Sequence, residues 1–267
     1  GRFHEFAINS EGVAVTATTT TSLNEKAAAV DPLVDDGLTE AFVTTLVAQR
    51  AATPREGVEL VGEIVETNGT SESFGMAVAN GSEAWLIEVG GGSHWVAARI
   101  PDDEYFVGAN ALRIGEVDLD SPDYMGSEDL ISFAAENDLY NPKAEEFDYA
   151  EAYGTADDYA AYNYRRVWGG INFFGVDDPP WPGNSDRIPN PKAHTYPLTL
   201  EPAEPITVAD VMAFQRYHYD GTRFDVVTDK EPLERPIGTP ATIEAHVLQM
   251  RAEGPDPISD VAWVSMS

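Results

Sequence analysis

Polar and apolar residues alternate along this chain with two periods, and the two predict different elements. After the turn Asn9-Ser10-Glu11-Gly12, the run "EGVAVTATTT" is rich in Val and Thr and predicts a strand. The stretch "GLTEAFVTTLVAQRA" instead places Leu38, Phe42, Leu46 and Val47 at helical spacing. A second helix is predicted over "TPREGVELVGEIVETNG", where Thr53 suits the N-cap, Pro54 the first helical position, Glu56 the third and Gly69 the stop. The link between these helices is short, which predicts an antiparallel pair.

Four short strand-like runs follow: "FGMAVAN", "EAWLIEVG", "HWVAARI" and "EYFVGAN". Asn80-Gly81, Gly90-Gly91-Gly92 and Pro101-Asp102-Asp103 separate them, and these are hairpin signals, so an antiparallel meander from Phe74 to Asn110 is expected. Helical spacing returns at "SEDLISFAAEND" and "ITVADVMAFQRYHYDG", with a Pro-rich loop, "GVDDPPWPGNSDRIPNPKAH", between them. "TIEAHVLQMR" and "DVAWVSM" read as two further strands. Runs of strands and runs of helices without strict βαβ alternation predict an α+β fold, with antiparallel sheets and helix layers outside.

Composition narrows the function. The 267 residues carry a net charge of −30, from 46 acidic and 16 basic residues, and only Lys26, Lys143, Lys192 and Lys230 among the basic ones are lysines. The acids lie within amphipathic segments that also hold Trp, Leu and Val, which predicts a folded protein with an acidic surface rather than a disordered tail. Nucleic-acid binding is not expected, because phosphate contacts need clustered Lys and Arg. Abundant acid with scarce Lys fits a protein working in high salt, where self-repulsion is screened. No apolar run is long enough to span a bilayer, and a cytoplasmic protein is expected. The chain has no Cys, which excludes disulfides, thiolate metal sites and a thiol nucleophile within it. His4, His94, His194, His218 and His246 show no zinc-helix spacing, so neither metal nor cofactor is expected. GxSxG and P-loop motifs are also absent from the sequence.

Three stretches carry candidate chemistry. In "EYFVGANALRIGEVD" an apolar strand ends on Asn110, with Arg113 close behind. A carboxamide there must be hydrogen-bonded or it costs stability, so it is either a turn residue or a donor aimed at a reacting carbonyl. In "AYNYRRVWGGINFF", Arg165 and Arg166 sit among aromatics, which suggests one guanidinium toward solvent and one partly buried against a carboxylate or a ligand. In "RPIGTPATIEAHVLQMR", Glu244, His246 and Leu248 share one strand face, lining a cleft or facing water.

These stretches, with "INSEGVAVTATTT", "ATPREGVELVGEIVETNG", "EAWLIEVGGGSHWVAARIPDDEYFVGANALRI" and "YHYDGTRFD", resemble in collinear order the dipeptidase A family of cysteine dipeptidases. That family belongs to the N-terminal-nucleophile (Ntn) hydrolases, with bile salt hydrolase, penicillin V acylase and the secernins as relatives. The resemblance covers the whole chain, 1–267, and implies a single Ntn-type domain built as an αββα sandwich of two antiparallel sheets between helix layers. It implies hydrolysis of dipeptides by a mature N-terminal Cys whose own α-amino group takes the thiol proton. It also places Asn110 where the Ntn relatives carry an oxyanion-hole Asn, a role worth roughly 3 kcal/mol in other hydrolases. Arg166 falls where related enzymes carry an active-site Arg, and Arg165, Arg113 and His246 are the candidate substrate-binding residues. Dipeptides are the expected partners, with homo-oligomerisation left open.

The departures set further expectations. The nucleophile belongs upstream of Gly1, the family continues past the strand at "AWVSMS", and Thr19 stands where the family often has Glu. The chain therefore resembles the central fragment of an enzyme, cut at both ends and inactive alone. A non-catalytic secernin-like binding protein and an Ntn amidase for non-peptide acyl groups are the alternatives.

Overall fold

The computed structural model describes residues 5–19, 23–155, 160–175, 196–222, 224–227, 235–252 and 259–266. In chain order the elements are β1 (Phe6–Ile8), β2 (Ala14–Thr19), α1 (Glu25–Val30), α2 (Glu40–Arg50), α3 (Pro54–Asn68), β3 (Phe74–Ala79), β4 (Ala84–Val89), β5 (Trp95–Ile100), β6 (Tyr105–Phe106) and β7 (Tyr124–Gly126). They continue with α4 (Leu130–Glu136), α5 (Tyr149–Tyr153), α6 (Ala160–Phe174), β8 (Thr199–Leu200), α7 (Val208–Phe214), β9 (Glu244–Gln249) and β10 (Val261–Met266). The Pro-rich stretch read as a loop lies, beyond Gly175, outside the described residues.

β1, β2, β3, β4, β5 and β7 form one antiparallel sheet in that spatial order, while β9–β10 and β6–β8 are separate two-stranded pairs. The fold is α+β. Alternation in the sheet is strict, as a period-2 backbone requires. Phe74, Met76, Val78, Trp85, Ile87 and Val89 face one way and join Val43, Val47, Val58, Val61 and Val65 of α2 and α3 in a single buried cluster. The α3 boundaries follow from local chemistry. Thr53 Oγ1 accepts from Glu56 N at 3.1 Å, Pro54 opens the helix and Gly69 ends it with φ 75°. Gly62 is needed where it sits, because a Cβ there would fall 2.1 Å from the Trp95 indole. On α2 the buried residues are Val43, Thr44 and Val47, whereas Phe42 is 63% exposed, so the helix is rotated by one residue from the expected face. Compact β-branched side chains, not the phenyl ring, fill the gap above β2.

The expected meander holds for three of its four runs. Asn80 Oδ1 accepts from Ser82 N and Glu83 N to make the β3–β4 turn. The fourth run does not join the sheet: β7 takes the edge beside β5, and Tyr105–Phe106 pair with β8 instead. The reason lies on β4. Glu88 accepts the backbone N–H groups of Arg113 and Ile114, which draws the chain after β6 across the sheet face rather than along its edge.

That second face is covered unevenly. Leu86, Val96 and Ala98 pack with Leu112, Ile114, Leu130, Tyr149 and Tyr153. Above β2, β9 of the hairpin comes down through His246, and α7 packs on β9. Between these lie Thr16, Thr18, Gly75 and Ala77, whose strand positions face the same side. Among the described residues no helix is long and apolar enough to cross a membrane.

Candidate active site

The segment after β6 is held at both ends. Val107, Ala111, Leu112, Arg113 and Ile114 are buried, while Asn110 is half-buried. Arg113 closes the loop on itself: Nε donates to Val107 O at 3.3 Å, Nη1 to Tyr196 O at 3.4 Å and Nη2 to Pro197 O at 2.7 Å. Its backbone N–H donates to Glu88 Oε1 at 2.8 Å, and that of Ile114 to Glu88 Oε2 at 2.9 Å. Burial pushes the Glu88 carboxyl up to about 7, against the opposing pull of those two N–H groups and of the Arg113 charge. The Arg113 guanidinium is itself pushed down by burial and held up by Glu88.

Asn110 lies inside this loop and faces α6. Its backbone N–H donates to Asn163 Oδ1 at 3.1 Å. Arg166 Nη2 donates to Asn110 Oδ1 at 2.9 Å and to Asn163 Oδ1 at 2.6 Å. Asn163 and Arg166 are three apart on a helix and so share a face. Because the guanidinium occupies Oδ1, the carboxamide is turned with its Nδ2–H donors away from Arg166. Burial lowers the Arg166 pKa, with the neighbouring Tyr219 opposing. Arg165 takes the other side of α6, stacked over the Phe224 ring with 3.3 Å to its centroid and beside Trp168. The expectation that one of the two arginines faces solvent is therefore corrected: a 100° helical step sends one into an aromatic cluster and the other into a carboxamide cluster.

Beside the loop is a cavity of about 120 Å³, floored by Thr16, Thr18, Gly75, Ala77 and Glu88 and walled by Phe106, Gly108, Ala109 and Ala111. Its lining is almost entirely apolar. His246 borders the floor through Thr16: Nε2 lies 3.1 Å from Thr16 Oγ1, Nδ1 lies 3.2 Å from the Glu244 carboxylate, and the ring packs on Phe6. Thus Asn110 and Arg166 are brought together, His246 reaches the cavity floor through Thr16, Arg165 is in a separate aromatic cluster, and Arg113 is a clamp on backbone carbonyls. Asn163 and Glu88 were not anticipated. Glu88 is the lone acid in the apolar run "AWLIEV", and Asn163 precedes Arg166 by one helical turn. Among the described residues no group of three or more His, Asp or Glu is placed to hold a metal ion.

The sequence model of peptidase family C69 matches residues 1–267. A protein of Salmonella dublin named probable dipeptidase is 37% identical over 266 residues, 98% of this chain and 60% of that protein. The probable dipeptidase B of Lactococcus lactis subsp. lactis is 35% identical, over 97% of this chain and 54% of its own length. Dipeptidase A of Lactobacillus helveticus is 34% identical over the same shares, 97% and 54%. The chain thus spans little more than half the length of the curated relatives it matches.

Proposed function

The chain belongs to peptidase family C69, and on that premise we propose that the whole protein is a dipeptidase of the cysteine, N-terminal-nucleophile type. The observation that carries this reading is the Asn110–Asn163–Arg166 cluster beside a small apolar cavity. A carboxamide whose oxygen is held by a cation keeps its N–H donors in one fixed direction, which is what a developing oxyanion needs. We take the chain as one domain of the αββα type. Supporting that are α2 and α3 on one sheet face, a strand pair meeting the other face through His246 and Thr16, and α7 behind β9.

In this mechanism a Cys thiol from polypeptide outside the present chain attacks the dipeptide carbonyl. Its proton passes through the free α-amino group to the leaving amine as the C–N bond breaks. Water then cleaves the thioester and frees the acyl half as a carboxylate. Asn110 Nδ2–H stabilises the oxyanion in both steps, and Arg166 fixes the carboxamide. His246, held against Thr16 of the cavity floor, contacts substrate. Arg113 serves by shaping the loop, and Arg165 by binding α6 to its aromatic neighbours.

The test is dipeptide hydrolysis by the full-length gene product, and by a variant in which the processed N-terminal Cys is Ala. Hydrolysis lost in the variant supports the reading. A whole protein that binds dipeptides without cleaving them supports the secernin-like alternative, and one that cleaves only non-peptide amides supports the amidase. The net charge of −30 carries a separate proposal, that the protein works in the cytoplasm of a high-salt cell. The melting temperature should then rise from low to molar KCl, and a flat or falling curve counts against it.

A further inference from the structure

We infer that Glu88 is a positioning residue for Asn110, holding the loop that carries the carboxamide at a height set by the charge on its own carboxylate. The inference deepens the peptidase reading, but one arm of its test does not depend on it.

Glu88 reaches Asn110 through a chain of contacts. β4 is an inner strand of the six-stranded sheet, so the Glu88 backbone is fixed. Both Glu88 oxygens are directed at the chain crossing above, taking the Arg113 N–H at 2.8 and 2.9 Å and the Ile114 N–H at 2.9 Å. Bonds to an ionised acceptor are shorter and roughly twice as strong as neutral ones. The Arg113 side chain then returns to Val107 O, so residues 107–113 form a ring with its base on Glu88. Asn110 lies inside that ring, and its far side is met by Asn163 and Arg166. A shift at the base therefore changes how the carboxamide meets α6. No other described carboxylate accepts from these two N–H groups.

The charge on Glu88 is set to vary near neutrality. Its carboxyl titrates at about 7, with burial the largest cause. The charged and titratable groups around it are Arg113 on the crossing loop, Asp148 before α5 and the Tyr149 phenol on α5, which donates to Glu88 O. Arg113 favours the anion and Asp148 opposes it. Protonation leaves weaker acceptors and adds an O–H donor beneath two N–H groups, so the ring base loosens. Asn110 should hold its closed position above this pH and relax below it.

The first experiment uses the full-length protein, with nuclear magnetic resonance following the Arg113 and Ile114 amides and the Asn110 Nδ2H₂ group from pH 5 to 9. All three should titrate with one midpoint near 7, and in Glu88→Gln that transition should vanish from Asn110. Arg113→Lys is the second variant: it opens the ring but keeps Glu88 and both N–H groups. There the backbone amides should still titrate while Asn110 no longer follows. Asn110 resonances indifferent to pH, or still titrating in Glu88→Gln, overturn the inference. The second experiment uses the full-length enzyme. Glu88→Gln should lower kcat about 10- to 100-fold at pH 8, in line with a carboxamide displaced by about 1 Å. KM should change much less, and the acid limb with midpoint near 7 should disappear from the kcat profile. A kcat per folded molecule and an acid limb both like wild type overturn it. If Asn110 titrates with Glu88 but no dipeptide is cleaved, the peptidase reading falls and the positioning role stands.

Discussion

The two faces of the six-stranded sheet are built from one set of strands and solve different problems. Toward α2 and α3, Phe74, Met76, Val78, Trp85, Ile87 and Val89 meet a row of valines, and the charged groups Arg55, Glu66 and Glu83 touch that cluster at the Trp85 and Trp95 indoles. Toward the other side the same strands present Glu88, Gly75, Ala77 and Thr16, and a chain segment crosses them on hydrogen bonds to Glu88 as well as on the packing of Leu112 and Ile114. Burying a carboxylate and a guanidinium costs stability unless each is fully hydrogen-bonded. Apolar burial offsets this cost, from the valine cluster on one face and from Leu112, Ile114 and Leu130 on the other. A sheet can thus carry polar machinery on one face because apolar packing on both faces supports it.

That contrast can be broken from the apolar side first. Ile87 is fully buried between α3 and the sheet. Ile87→Ala should destabilise the protein by about 2–5 kcal/mol through lost burial and a residual cavity. Chemical denaturation measures it. A loss below about 1 kcal/mol would mean that the apolar face is not the main support.

On the polar face the expected effect is on rate. In the full-length enzyme Asn110→Ala should lower kcat by about two to three orders of magnitude, with KM changed far less, because the donor acts on charge that develops in the transition state. Folding should survive, since Asn110 is half-buried. If stability drops instead and kcat per folded molecule is unchanged, Asn110 is a turn residue that satisfies Asn163 and Arg166.

The apolar face was largely legible in the sequence. Thr53, Pro54 and Gly69 marked α3, Asn80-Gly81 marked a hairpin, and three of four strand runs paired in order, because each of these signals acts within a few residues. The polar face was only partly legible. Asn110 and Arg166 stood out as residue types, yet their meeting depends on Asn163 from α6 and on Glu88 from β4, distant in sequence. The fourth strand was misplaced for the same reason: periodicity sees Tyr105 and Phe106 but not the carboxylate that diverts the chain after them.

Stability against pH sharpens the comparison. Glu88 is an acid whose pKa is raised in the folded state, from its ordinary 4.5 to about 7. The folded protein then binds the proton more tightly than the unfolded chain. Its contribution is fully present below about pH 4.5 and is lost as pH rises through about 7. Measured as the difference between wild type and Glu88→Gln, stability should fall by about 3 kcal/mol across that window. A difference that is constant with pH would mean that folding leaves the Glu88 pKa at its ordinary value.

The smallest effect tests whether the two faces are separable. Thr53 caps α3 on the apolar side, accepting from Glu56 N. Replacing a Thr N-cap by Ala leaves an orphan N–H at the helix start and typically costs about 1 kcal/mol. For a chain of this size that is a fall of about 2–4 °C in Tm. The helix packs on β3, β4 and β5, and an inner strand bonded on both edges moves little when one helix end frays. Thr53→Ala should therefore leave kcat per folded molecule, and the Asn110 titration, as in wild type. A changed titration midpoint in this variant would show that strain from the apolar face reaches Glu88, and the sheet would then be a coupling element rather than a partition.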